Sequence, residues 1–207
     1  MLSEWSAECG ADDPVLVVPW SSSESELPEG VASQPHSEFI DLRENPYDLD
    51  HLPEAEQYPP LMQALRALNA ARSPVFTAKC DAWAITDEDE RNNLRFQLDL
   101  AADESPSGFA SYIDLLWRER SIFANFHQHE QLLDRLSRRA GLLDHPNAML
   151  DCIVRPAFVD LNGPQEGFAV SLYIKALGHD TQSTFDIWAA ALDSIVALLR
   201  GRDFATT

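Results

Sequence analysis

The sequence predicts an α+β fold in which helices cover one face of a largely antiparallel sheet. Two pairs of strand-like runs, each joined by a polar loop or turn, indicate two β-hairpins. Segments with apolar residues at helical spacing lie before, between and after these pairs. We therefore expect a duplicated helix-hairpin arrangement that ends in a further helix.

The strands are predicted where apolar and polar residues alternate. Residues 75–85 and 94–101 should form the first hairpin, and in the second of these runs every other residue is Leu or Phe. Residues 149–159 and 168–177 should form the second hairpin, with Gly163 among the turn residues between them. The short apolar runs 15–20 and 39–42 could add strands to the edge of this sheet.

The helices are predicted at 61–68, 109–140 and 185–199, where apolar residues recur every three or four positions. The middle helix should break near 118–121, because its two apolar stripes would be rotated by over about 100° in a straight helix. Either Thr181 or Ser183 is expected to cap the last helix.

The acidic charge is concentrated near the start of the chain. The 207 residues include 34 Asp or Glu and 15 Lys or Arg, and residues 1–60 hold fourteen of the acids against the single Arg43. We expect an acidic, proline-rich and partly ordered segment at 1–52, followed by the α+β domain at 53–207. Such a field repels phosphate backbones, so a basic protein is a better partner than nucleic acid.

The cysteines and the hydropathy pattern indicate where the protein works. The three cysteines have no tight spacing, which favours a reducing compartment over a disulfide framework. The N-terminus lacks the positive charge of a signal peptide, and no apolar stretch is long enough to span a membrane. We expect a cytoplasmic protein that does not bind membranes.

One face of the predicted sheet carries charged and aromatic side chains, including both lysines of the chain. The candidate ligand-binding residues on this face are Lys79, Asp81, Trp83, Arg95, Asp99, Asp151, Arg155, Tyr173 and Lys175.

Three interpretations of this face stay open. It could hold an anionic or zwitterionic ligand through its cations and aromatic rings. It could simply be the solvated side of an antiparallel sheet, stabilised by pairs of opposite charge. The acidic N-terminal segment could also fold over it and meet its cations.

A histidine-rich stretch at 127–130 is the most suggestive motif for a metal. Leu133 stands where the zinc-protease signature needs its second histidine. His127, Glu130 and Asp134 share a helical face, but ion pairing with nearby arginines explains them better than a metal does. We therefore expect no metal and no cofactor.

The sequence contains no nucleophile elbow and no glycine-rich phosphate loop. Cys80, Cys152 and His129 lie on apolar sides of their elements, as buried side chains do. We expect a non-catalytic ligand- or protein-binding module that uses the charged sheet face or the acidic segment, with a basic protein or a small anionic ligand as partner. The alternative is an enzyme on a small anionic substrate, with an Asp base and Lys or Arg anion binders.

Overall fold

The computed structural model describes residues 1–10, 14–18, 56–101, 107–201 and 204. Within these ranges the strands are β1 (Leu2–Ala7), β2 (Val15–Val17), β3 (Val75–Ile85), β4 (Ser107–Trp117), β5 (Ala148–Asp160) and β6 (Pro164–Gly178). The helices are α1 (Pro59–Asn69), α2 (Glu88–Gln97), α3 (Arg120–Phe123), α4 (Phe126–Ala140) and α5 (Thr181–Leu199).

The strands form one mixed, mostly antiparallel sheet in the order β1-β5-β6-β4-β3, and β2 also pairs with β5. β1 and β2 run parallel to β5, whereas the other neighbours are antiparallel. Cα atoms of β2 come within 8 Å of those of β3, although the two strands lie at opposite sides of the sheet. The sheet therefore curls at this end, and Phe76 and Leu116 are buried in the same apolar cluster as Val15 and Val17.

Three helices, α1, α4 and α5, cover one face of the sheet. The α5 residue Trp188 is fully buried there, and its Nε1 donates to Ser111 Oγ on β4 at 2.9 Å. Asn69 at the end of α1 accepts from the backbone N–H of Thr77 at 3.0 Å and so ties this helix to β3. The α+β class and the mostly antiparallel sheet are confirmed.

The helix α2 is a correction to the sequence prediction, which places a strand at 94–101. Asp87 caps this helix by accepting from the Glu90 N–H at 2.9 Å, and three acids fill its first turn. A capped acidic turn stabilises a helix start, so the acidic stretch is a helix N-terminus rather than a hairpin loop. Leu94 packs with Ala110 and Met149 on the face opposite to α1, α4 and α5, so the prediction of helices on one face only is also wrong.

The strand β4 is the second correction, because the sequence analysis places 109–117 in a helix. β4 packs between β3 and β6, so both its edges are paired, and most of its residues on both faces are buried. A strand buried on both faces loses its alternation of apolar and polar residues, and such a run cannot be told from a helix by period alone. The duplicated helix-hairpin arrangement is not confirmed, since α2 stands where its second strand was expected.

The start of the chain contributes to the sheet. The expected edge strand at 15–20 is present as β2, and β1 adds a further strand beside β5 that the sequence analysis did not predict. The Ser137 Oγ of α4 donates to the Ser3 carbonyl at 2.9 Å, which joins β1 to the helical layer. The expected strand at 39–42 lies outside the described residues.

The second hairpin and the last helix are close to their predicted bounds. The β5–β6 hairpin turns at Gly163, which has a φ of 101° that favours glycine. Helix α5 begins at Thr181, and its N-cap is Asp180 rather than Thr181 or Ser183, although Ser183 completes a capping box with Asp180.

Candidate functional site

The open face is the side of the sheet that α1, α4 and α5 do not cover, and α2 lies over one end of it. Five residues stand in register across this face, one from each of five neighbouring strands. We call them the central row: Asp81 on β3, Tyr112 on β4, Tyr173 on β6, Asp151 on β5 and Glu4 on β1.

Two phenol rings form the middle of the central row. The Tyr112 and Tyr173 ring centroids lie 5.9 Å apart, and Trp83 lies 6.3 Å from Tyr112 on its other side. Both tyrosines are half-buried. Burial and the nearby carboxylates of Asp114 and Asp81 raise the pKa of Tyr112 to about 12. Burial also raises the pKa of Tyr173.

Carboxylates flank these rings at both ends of the row. Burial raises the pKa of Asp151 above its usual value, and the Glu4 carboxylate opposite it adds to this rise. Asp114, in the next row along β4, is buried, and its Oδ1 accepts from Ser171 Oγ at 2.5 Å. Burial is the main cause of the raised pKa values of Tyr112, Tyr173 and Asp151, and nearby carboxylates add to each of them.

Two cations of the open face, Lys175 and Arg155, contact glutamates. Lys175 Nζ lies 3.7 Å from Glu90 Oε1 of α2. Arg155 Nη2 lies 3.2 Å from Glu8 Oε2, just beyond β1. Both cations are therefore engaged at the margins of the central row, and the row itself carries carboxylates and phenols.

Three of the predicted site residues lie away from this row. Arg95 is in the last turn of α2 and Asp99 follows that helix with a φ of 54°, so neither lies on the sheet. Their placement was wrong because the helix was taken for a strand. Lys79 is exposed where the β3–β4 register shifts between Thr77 and Cys80. This bulge moves Thr77 to the helix-covered side. A strict period of two cannot predict such a bulge.

The other six predicted residues lie together on the open face. They are Asp81, Trp83, Asp151, Arg155, Tyr173 and Lys175. Sequence reasoning missed Tyr112 and Asp114, because β4 was taken for a helix, and Glu4 and Glu8, because β1 was not predicted. No local signal separated β4 from a helix, because this largely apolar run shows no clear alternation.

The histidine-rich stretch forms ordinary side-chain pairs. His127 Nδ1 contacts Glu130 Oε2 at 3.0 Å, and Asp134 Oδ1 accepts from Trp5 Nε1 of β1 at 2.8 Å. His129 is fully buried, as its place on an apolar stripe predicted. Among the described residues, no group of three or more His, Cys, Asp or Glu side chains has an arrangement that could hold a metal ion.

The buried Cys152 and a groove beside the β5–β6 hairpin both lie away from the central row. Cys152 is buried on the helix-covered side, where burial raises its pKa, and all three cysteines are free thiols. A groove of about 380 Å³ lies between α3 and the tip of the β5–β6 hairpin, where Arg120, Phe123 and Phe158 line it. None of the predicted site residues lines this groove.

Comparison of the chain with protein-family models, with curated proteins and with solved structures found no match. In the part of the chain that the structure describes, no helix has both the length and the apolar character needed to cross a membrane. The site has to be interpreted from its own chemistry.

Proposed function

We propose that this protein is a non-catalytic binding module that holds its ligand on the central row of the open face. The observation that carries this proposal is the register itself, which aligns two carboxylates, two phenols and a third carboxylate across five strands. Asp151, Tyr112 and Tyr173 are half-buried and have raised pKa values, a combination that is typical of functional sites.

The ion pairs favour binding over catalysis. The enzyme alternative needs Lys or Arg side chains ready to take an anionic substrate beside an Asp base. Lys175 and Arg155 instead contact Glu90 and Glu8. A pair of this kind would have to open before either cation could hold an anion, and its carboxylate would then repel that anion.

A ligand-dependent thermal melt of the full chain tests the proposal. The panel contains small anions, organic cations, zwitterions, divalent metals and basic and acidic peptides. The site variants are Asp81→Asn, Asp151→Asn and Tyr112→Phe. Asp193→Asn on the exposed surface of α5 is the matched control, since it removes one negative charge from the helix-covered side.

The expected result is at least one ligand whose stabilising shift is lost in the site variants and kept in Asp193→Asn. A ligand in excess over its Kd raises the melting temperature, because it binds only the folded state. If every shift survives all three site variants, the central row is not the binding site. If a panel compound is chemically converted and Asp151→Asn abolishes turnover, the enzyme alternative replaces the binding module.

A further inference from the structure

The charges of the open face define what kind of group it can hold. Glu4, Asp81 and Asp151 in the central row are acidic, and the buried Asp114 lies one row away. Two cations of the open face, Lys175 and Arg155, are already matched by glutamates. A bound anion would meet net repulsion, whereas a cation would be attracted by the carboxylates and by the faces of the phenol rings.

The spacing of the carboxylates sets the size of the occupant. Asp81 and Asp151 are three strand steps apart, which is about 14 Å along the sheet at the usual strand separation. A single amine or guanidinium group cannot reach both carboxylates. An extended peptide rises about 3.4 Å per residue, so two side chains four residues apart lie about 14 Å apart and point to the same side.

We infer that the ligand of the central row is a basic polypeptide segment, which lies across the strands with two Lys or Arg side chains about four residues apart at Asp81 and Asp151. This inference rests on the proposed function. The side chain between the two cations would pack on Tyr112 and Tyr173, whose rings fill the middle of the row. Arginine suits these positions especially, because it combines paired donors for carboxylate with a planar face for aromatic rings.

The chain itself is a poor source of this segment. Its residues 19–55 contain nine Asp or Glu and the single Arg43, so their charge has the wrong sign for the row. The basic segment therefore belongs to a second protein. This agrees with the acidic balance of the whole chain, whose net charge is −19.

Fluorescence anisotropy with short labelled peptides tests the inference on the full-length protein. One peptide carries two arginines four residues apart in a Ser/Thr host, and a second of equal composition has them three residues apart. A third carries glutamates in place of the arginines, and free arginine amide is the small-molecule comparison. The three-residue spacing puts the second arginine on the opposite side of an extended chain.

The first peptide should bind most tightly and lose affinity when salt is added. Asp81→Asn and Asp151→Asn should each weaken it about tenfold, the usual effect of removing one charge-assisted hydrogen bond at a half-exposed site. Asp144→Asn and Asp193→Asn remove the same charge from exposed positions away from the row, and they should change its affinity less than about twofold.

Three results would overturn the inference: equal affinity for both arginine spacings, tighter binding of the glutamate peptide, or arginine amide binding as tightly as the peptide. Its failure is distinguishable from failure of the proposed function. If a small anion or zwitterion from the melting panel depends on the central row and the basic peptide does not bind, only the polypeptide ligand is wrong. If no ligand of either experiment depends on the row, both proposals fail.

Discussion

Replacing the buried His129 by phenylalanine should remove one identifiable part of the pH dependence of stability. The imidazole lies beside the rings of Trp117 and Phe168, and its Nδ1 donates to the Asn125 carbonyl at 3.1 Å. Burial lowers the pKa of His129 below 6.5, and the carbonyls of Asn125 and Phe168 offset only part of this effect. The folded protein therefore resists protonation at a pH where the unfolded chain accepts a proton.

The sign and the size of the change in the free energy of unfolding follow from this difference in proton binding. Above about pH 7.5 the histidine is neutral in both states and adds no pH dependence. As the pH falls through 6.5 the unfolded state takes up the proton first, so the free energy of unfolding decreases until the lowered pKa of the folded state is reached. At about pH 5.5 the unfolded histidine is about nine-tenths protonated, so the loss can reach about 1.4 kcal/mol.

Urea unfolding of the wild type and His129→Phe across this pH range measures the effect. Phenylalanine keeps a ring against Trp117, and the Asn125 carbonyl still accepts from the backbone N–H groups of residues 128 and 129. The difference between the two proteins cancels the titration of the carboxylates and of the other histidines. The wild type should lose up to about 1.4 kcal/mol more than the variant between about pH 7.5 and 5.5. Parallel pH profiles would refute the reasoning.

Three further substitutions test the fold and the site. Asp151→Asn should raise the melting temperature near neutral pH, because the raised pKa of Asp151 means that its charged form disfavours folding. The variant should lose this advantage towards pH 3, where Asp151 is protonated in both states. A lower melting temperature of the variant at neutral pH would contradict this. Gly167→Ala should destabilise the protein by about 1–3 kcal/mol in urea unfolding, because the new Cβ would lie 2.5 Å from the backbone oxygen of Phe123. Unchanged stability would mean that β6 can move aside. Trp188→Phe should cost about 2 kcal/mol in the same assay through lost volume and the lost bond to Ser111, and a cost near zero would argue against this packing.

The sequence predicts those parts of the fold whose local signals agree. The β5–β6 hairpin has alternating residues on both strands and a glycine at its turn, and α5 has one continuous apolar stripe. The sequence analysis took α2 for a strand and β4 for a helix, and both errors have a physical cause. The run 94–101 alternates but follows a strong helix cap, whereas 109–117 has apolar residues at helical spacing but is a central strand. Tertiary burial decides such cases, and a single sequence does not show it.

The candidate site was predicted in part for a related reason. Assigning residues to faces needs only the period of two, so Asp81, Asp151 and Tyr173 were placed correctly on one side of the sheet. Which residues stand beside one another depends on strand order and register, and these are set by long-range packing. The contribution of Glu4 required a parallel β1 beside β5, for which no local signal exists.

Selection for stability alone would not favour the residues of the central row. Glu4 and Asp151 are register partners across β1 and β5, and like charges in such positions are destabilising. An uncharged residue such as threonine in either place would remove the repulsion. Because a proton on Asp151 and a bound cation relieve the same repulsion, the two must compete. Affinity for a basic ligand should therefore decrease as Asp151 is protonated, and the decrease should be smaller in Asp151→Asn, where only the other carboxylates of the row titrate.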